Sequence, residues 1–452
     1  MKFIIPCLSS FLLTTSIMPL VIRLAKTCNC LDVPGGRRLH EKTTPRWGGV
    51  AFFAGVLPFL FMANGNGALT SYLVASSLLV GMGMIDDLRS LGWKTKFSGM
   101  AVAATIMIFG GDLTVHQLGT YGSLGRIELG WLSIPFTFLS IIGITNAINL
   151  LDGLNGLAGG VSLLGFLFMG IAALLAGNVV IALVCFAFVG ALAAFLLYNF
   201  PHARVFMGDA GSILLGFSLS VTAVSLTQDA NSSVEAMFPV LVLLIPIFDT
   251  LRVLIVRLLN GNNPFRADRL HLHYLIVEKQ ISPVTVVLLF WLVTVLFGGI
   301  ALTMATQSSA QYLMVVLYAS ALLTLFAVSL TPSRQPQEAG GLKIQRPVGA
   351  EAGQVAPPRY LNPSTRFARK GGMMTIKWMV GLGIMLLAAQ ISAGEAPLLK
   401  TQRDKVNYAT GINMVDNFKQ QGIWIDLDVP KGMKDALAGH YWQRYRIACR
   451  SE

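Results

Sequence analysis

Four short motifs hold the groups in this sequence that could do chemistry. They are Asp86-Asp87, Asn146-x-x-Asn149-x-x-Asp152-Gly153, Phe206-Met207-Gly208-Asp209-Ala210-Gly211-Ser212 and Arg266-x-Asp268-Arg269-x-His271-x-His273. Adjacent carboxylates such as Asp86 and Asp87 repel an anionic substrate unless a cation bridges them. Hard oxygen ligands of this kind suit Mg²⁺, which takes one or two carboxylates together with substrate phosphates. The plainer alternative is a solvated helix end with Arg89 as a neighbour. Asn146, Asn149 and Asp152 recur at every third residue and so share one helix face. Facing lipid, two amides and an acid would be costly, so they line a polar cleft. Gly153, Gly156, Gly159 and Gly160 then allow a tight turn and close approach of backbone to a ligand or a neighbouring helix. Asp209 directly precedes an apolar helix, where it or Ser212 would serve as a helix cap. The same position favours anions, or a cation that carries a phosphate. His271 and His273, with Arg266 and Arg269, suit pyrophosphate contacts and proton shuttling better than metal ligation. Asp249 and Arg252 make an i, i+3 pair with a supporting role. Arg37, Arg38 and His40 form a basic early loop that is either purely topological or receives an anionic lipid headgroup.

The elements that must carry these groups are membrane helices. The chain has 452 residues, 54% hydrophobic and 12% charged, about half the charged share of a soluble protein. About eleven stretches approach the roughly 20 apolar residues that a span needs. They cover approximately 3–24, 47–63, 68–85, 98–111, 131–148, 157–176, 178–198, 212–227, 236–257, 284–304 and 310–330. The expected class is therefore all-α, a polytopic helical bundle. Loops after odd-numbered segments hold 13 Lys and Arg, whereas those after even-numbered segments hold only Arg126. The positive-inside rule puts the odd loops in the cytoplasm and the N-terminus outside. All four motifs fall at odd exits, so the topology gathers them on the cytoplasmic face. The net charge of +12 is accounted for by this asymmetry and calls for no nucleic-acid partner. The outer stretch 112–130, with Gly119, Gly122 and Gly125, reads as a small hairpin. Cys28-x-Cys30 lacks the second ligand pair of a zinc site.

After Leu330 the composition changes. Residues 331–372 are rich in Pro, Gly, Gln and Arg and read as a disordered basic linker. Residues 373–394 have the outline of a signal peptide in mid-chain, or of a short twelfth span. Residues 395–452 form a small helical tail.

In order and content, the motifs of residues 1–330 resemble the polyprenyl-phosphate N-acetylhexosamine-1-phosphate transferase family, the WecA- and MraY-like enzymes. The His-x-His loop and the outside N-terminus are closer to the WecA branch. The resemblance implies transfer of a sugar 1-phosphate, GlcNAc-1-phosphate above all, from a UDP-sugar to undecaprenyl phosphate. The products are UMP and the lipid diphosphate sugar that initiates cell-envelope polysaccharides such as lipopolysaccharide O-antigen. It further implies an inner-membrane location and dependence on Mg²⁺, with Mn²⁺ as an alternative. On this basis Asp86, Asp87 and Asp152 are the catalytic candidates and Asp209 the metal ligand. Asn146, Asn149, Asn155, Phe206, Arg266, Arg269, His271 and His273 are the substrate-binding candidates, Phe206 by stacking on uracil. Arg37, Arg38 and His40 are candidates for the lipid phosphate. Two positions depart from the family pattern: Asn155 replaces a common second Asp, and Tyr274 replaces a further His. The tail resembles the N-terminal dimerisation region of FKBP-type prolyl isomerases without the isomerase domain, which leaves a homodimer open. The competing expectation is a multi-spanning transporter with a cytoplasm-facing polar site; transporter sites lie near the bilayer midplane.

Overall fold

The computed structural model describes residues 3–33, 43–62, 67–229, 232–261, 263, 269–304 and 307–330. The chain divides into two compact units, Met1–Gln337 and Glu338–Glu452, and every described residue lies in the first. The linker, the signal-like segment and the tail fall outside the described residues, as do Arg37, Arg38, His40 and Arg266.

Each expected apolar stretch is helical. The helices are α1 (Ile4–Thr27), α2 (Gly48–Met62), α3 (Gly67–Arg89), α4 (Trp93–Thr105), α5 (Ser133–Leu151), α6 (Leu157–Leu175), α7 (Val179–Asn199), α8 (Gly208–Gln228), α9 (Phe238–Val242), α10 (Leu244–Leu259), α11 (Leu272–Val277), α12 (Pro283–Thr303) and α13 (Ser309–Leu330). Among the described residues, eight helices are long and apolar enough to cross a membrane, which makes this an all-α polytopic membrane protein. The other three expected stretches take shorter or interrupted forms. The second is the 15-residue α2. The fourth is α4 continued by a wider π turn over Ile106–Gly110. The ninth is broken between α9 and α10. Pro246 explains that break: it has no N–H for the carbonyl four residues back, and its ring crowds that carbonyl. The helix therefore stops at Val242 and restarts, with Ile247 N–H donating to Leu243 O at 3.2 Å.

α8 is the axis of the bundle, 94% buried along its apolar window and packed by α2, α3, α5, α6 and α7. Lipid is as apolar as leucine, so close contact and polar cross-links, rather than hydrophobic burial, hold such helices together. α8 supplies both. Gly83 of α3 lies so near Ala210 that a β-carbon there would overlap the Ala210 backbone. Further along, Tyr72 Oη and Ser218 Oγ are 2.6 Å apart, and the Tyr72 ring stacks on Phe217 at 5.8 Å.

The hairpin forms from β3 (Gln117–Thr120) and β4 (Arg126–Glu128), antiparallel with Gln117 opposite Glu128. Gln228, at the last residue of α8, accepts from the backbone N–H groups of His116 and Gln117. The hairpin is thus tied to the C-terminal end of α8, opposite the end that carries Asp209. Near that other end, β1 (Leu31–Asp32) pairs antiparallel with β2 (Thr44–Pro45) and closes the early loop.

Candidate active site

The polar motifs meet where two helices end and one begins. Asp86 and Asp87 occupy the last turn of α3, Asn149 the last turn of α5, Asp152 the residue that caps α5, and Asp209 the first turn of α8. These are helix ends rather than midspan positions, which is not where a transporter would place its site.

Asp87 shows why they converge. Its Oδ1 accepts the Asp209 N–H at 3.0 Å and its Oδ2 accepts the Ala210 N–H at 3.5 Å. The first N–H groups of a helix have no partner within it, and here a carboxylate from another helix supplies one. The sequence suggested that Asp209 or Ser212 would cap α8, and this is corrected. The N-cap position is Met207, with no side-chain cap, while Ser212 Oγ donates back to Gly208 O at 3.2 Å. Asp209 is thereby released from capping and its carboxylate faces the other acids. The close fit needs Gly208, at φ +69°, because a side chain there would run into Asp87.

Two cations the sequence reading treated only as topological charges organise the acids. Lys96, one turn into α4, places its Nζ 2.7 Å from Asp86 Oδ2 and in contact with Asp209 Oδ2. The hairpin that joins α3 to α4 turns at Ser90, whose φ is +50°, and Asp86 Oδ1 accepts the Leu91 N–H at 2.6 Å within it. That turn folds Lys96 back over Asp86. Arg46 reaches the opposite side, with its guanidinium 2.7 Å from Asp32 and 3.6 Å from Asp87. Burial lowers the Arg46 pKa, but its hydrogen bond to Asp32 and the surrounding carboxylates outweigh this and leave it raised. A backbone clasp holds Arg46 in place. Phe206 N–H donates to Pro45 O at 2.9 Å, and Gly48 N–H donates to Phe206 O at 2.8 Å. Phe206 itself is half-buried beside this clasp.

Asn149 Nδ2 donates to Ser212 Oγ at 2.8 Å and lies 3.4 Å from Asp209 Oδ1. It is the amide of its motif that touches the acids; Asn146 is half-buried one turn earlier. The expected helical stripe stops short of Asp152, which has left the helix with ψ +55°. Asp152 is open to solvent while protein surrounds it on its other sides. That enclosure raises its pKa to about 7, with the charges of Asp209 and Asp87 adding to the effect. Asn155 points elsewhere, donating to Pro201 O at 3.1 Å. In this arrangement it braces the turn into α6, where Gly156 takes a φ of +81°.

The histidines sit behind this loop. Asp249 of α10, 2% exposed, accepts from Arg252 Nη2 at 3.0 Å and from the Leu272 N–H at 3.0 Å. Its Oδ2 is 2.8 Å from His271 Nδ1, which directs the other imidazole nitrogen away from it. Arg252 also donates to Leu270 O. The expected i, i+3 pair exists, then, and its larger function is to clamp the loop carrying His271. His273 is wholly buried, its ring tilted against Tyr274 at 4.1 Å, with its Nε2 packed against Gly153. Desolvation pushes its pKa down to about 3, so it is a neutral imidazole at physiological pH rather than a solvated loop histidine. His271 Nε2 and both His273 nitrogens have no hydrogen-bond partner among the described residues. Arg269 lies close enough to Tyr274 to oppose the rise that burial gives its phenol pKa.

Among the described residues no three acids or histidines converge as a ready-made metal cage. What the site offers is two carboxylates, Asp86 and Asp209, already sharing one cation, the Lys96 ammonium. Two carboxylates completed by waters and phosphates are the usual protein share of a Mg²⁺ site, so the donor set fits that ion.

Comparison with known proteins points the same way. Residues 69–227, which run from the first turn of α3 to the last turn of α8 and hold most of these acids, match the profile of glycosyl transferase family 4. A probable undecaprenyl-phosphate N-acetylglucosaminyl 1-phosphate transferase of Bacillus subtilis is 33% identical over 310 residues, covering 68% of this chain and 86% of the relative. The undecaprenyl-phosphate alpha-N-acetylglucosaminyl 1-phosphate transferase of Salmonella typhi is 29% identical over 69% of this chain and 86% of its own. A decaprenyl-phosphate N-acetylglucosaminephosphotransferase of Mycobacterium leprae is 32% identical over 65% and 81% respectively.

Proposed function

The chain belongs to glycosyl transferase family 4, among the polyprenyl-phosphate N-acetylhexosamine-1-phosphate transferases, and on that premise we propose that it transfers GlcNAc-1-phosphate from UDP-GlcNAc to undecaprenyl phosphate. The observation that carries this reading is the meeting of Asp86, Asp209 and Asn149 at one end of the bundle, with Asp87 locking two of the helices together. The charge asymmetry of the loops supports a cytoplasmic position for that end, where UDP-sugars are found, in an inner membrane with the N-terminus outside.

The reaction joins two phosphate anions, so charge repulsion is its main barrier. Asp209 and Asp86 would hold a divalent cation, Mg²⁺ by preference, which would supply neutralisation of the pyrophosphate and of the departing UMP. The chain's own residues do the remainder. Asp87 fixes the start of α8 so that Asp209 faces Asp86, and Asn149 steadies Asp209. The lipid phosphate is a competent nucleophile at pH 7 and needs no strong base. One of its oxygens attacks the β-phosphorus of the donor while the bond to the bridging oxygen of UMP breaks. Asp86 or Asp152 orients that headgroup or takes its residual proton. Phe206 and Asn146 belong to the uridine side of the cleft, and His271 and Arg269 to the pyrophosphate.

The test is a panel of UDP-sugars offered with undecaprenyl phosphate and Mg²⁺ to the purified protein, with the lipid product weighed by mass spectrometry. UDP-GlcNAc should yield a lipid heavier by one GlcNAc-phosphate unit. If no donor yields a lipid diphosphate sugar, the reading fails.

A further inference from the structure

Lys96 is the unexplained member of the site. Five carboxylates gather here: Asp32, Asp86, Asp87, Asp152 and Asp209. Among the described residues, Arg46 sits on Asp32 and Asp87, and Lys96 sits on Asp86 and Asp209. The partition is uneven. Asp87 spends both oxygens on the α8 backbone, and Asp86 spends Oδ1 on the Leu91 N–H. The oxygens turned toward one another are Asp86 Oδ2 and Asp209 Oδ2, and Lys96 holds both. Without a cation between them they would repel each other. With an ammonium there, both oxygens are held against one cation. The Lys96 side chain keeps about a quarter of its surface exposed and can therefore swing aside on its flexible stem.

We propose that Lys96 is the resident counter-cation of the site: it holds Asp86 and Asp209 together before a divalent cation binds, and competes with that cation for the same two oxygens. This deepens the transferase reading and rests on it for the identity of the ion. Displaced, the ammonium remains beside the cleft, free to meet a phosphate oxygen. The two cations are thus used in sequence, which keeps the acids paired in every state. The competition makes a counter-intuitive prediction: neutralising a lysine beside the metal site should strengthen metal binding, not weaken it.

The experiment measures Mn²⁺ binding by electron paramagnetic resonance on the full chain in detergent, without substrates. It compares the native protein with Lys96→Met, Lys96→Arg and Asp209→Ala. A unit charge fixed about 4 Å from the ion at an effective dielectric of about 20 would weaken binding by far more than tenfold; because the ammonium swings out to water when the ion enters, the gain on removing it is reduced to about tenfold or more. Lys96→Met should therefore lower the Mn²⁺ Kd by that factor, and its metal-free form should melt earlier and be rescued more strongly by Mn²⁺. Lys96→Arg, which keeps the charge, should stay within about threefold of the native Kd, and Asp209→Ala should abolish the binding. Should Lys96→Met not survive purification, Lys96→Gln provides the same measurement. An unchanged or weaker Mn²⁺ affinity in the neutral variants overturns the proposal. Tighter binding in a protein that makes no lipid diphosphate sugar would uphold the role of Lys96 and refute the transferase reading instead.

Discussion

Asp249→Ala offers a demanding test of the architecture behind the site. Asp249 touches none of the other acids, yet it satisfies three donors at once: Arg252 Nη2, the Leu272 N–H and His271 Nδ1. At 2% exposure, no water replaces it without rearrangement. Removing one partner of a buried ion pair costs about 3–5 kcal/mol, because the other charge is left uncompensated. Asp249→Asn keeps an acceptor and the volume but loses the charge, so its cost should be smaller, about 1.5–3 kcal/mol. Heating the protein in detergent and scoring the remaining monodisperse fraction by fluorescence-detected size exclusion should rank native above Asp249→Asn above Asp249→Ala. Turnover adds a second readout. If Asp249 acts by orienting His271, its removal should lower UMP release on the order of 10²-fold, within the range of a misplaced acid–base or hydrogen-bonding group. The same change in a His271→Ala background should lower it little further, because residues acting through one another are not additive. An Asp249→Ala protein that melts and turns over like the native one would refute the clamp. Full additivity with His271→Ala would refute the orienting role alone.

Other consequences can be checked more briefly. His273 is held neutral with a pKa of about 3, below its ordinary value of about 6.5, so the folded state binds fewer protons than the unfolded one between these values. Stability should be full above pH 6.5 and fall by up to about 1.4 kcal/mol per pH unit below it; thermal melts from pH 7 to pH 4 should show a shallower acid limb for His273→Phe. Asp152 is shifted the other way, up to about 7, so its contribution is greatest below pH 4 and is lost as pH rises through 7. Asp152→Asn should therefore raise the melting temperature of metal-free protein at pH 8 and leave it unchanged at pH 4, by an amount reduced because the group is open to water. Gly83→Leu should separate α3 from α8 and cut both turnover and melting temperature, since even a β-carbon overlaps Ala210, whereas Gly81→Ala, with open space beside it, should behave as native in both assays.

The spans and their ends were legible in the sequence because lipid forces both. A backbone crossing hydrocarbon must be helical and apolar for about 20 residues, so polar groups such as Asp86, Asn149 and Asp209 can stand only at the ends or in a shielded cleft. The features that escaped depend on packing across chain positions far apart. Asp87 caps a helix that begins more than a hundred residues later, and the sequence near Asp209 offered its own plausible caps, Ser212 and Asp209 itself. Lys96 and Arg46 were absorbed into the positive-inside count, although Lys96 lies just beyond a tight turn from Asp86 and a helical hairpin would fold it back. Asn155 read as a substrate-binding candidate, and nothing near it in the sequence signalled its hydrogen bond to the carbonyl of Pro201. The break between α9 and α10 was signalled by Pro246, inside a stretch apolar enough to pass for one span.

The most direct measurement is UMP release by the purified chain with undecaprenyl phosphate, UDP-GlcNAc and Mg²⁺, run in parallel on the native protein and Asp209→Ala. The account predicts one UMP for each lipid diphosphate sugar formed by the native protein, and loss of both products by at least about 10²-fold in the variant, on the scale of losing a group that stabilises transition-state charge. Full turnover by Asp209→Ala, or UMP formed without a matching lipid product, would contradict it.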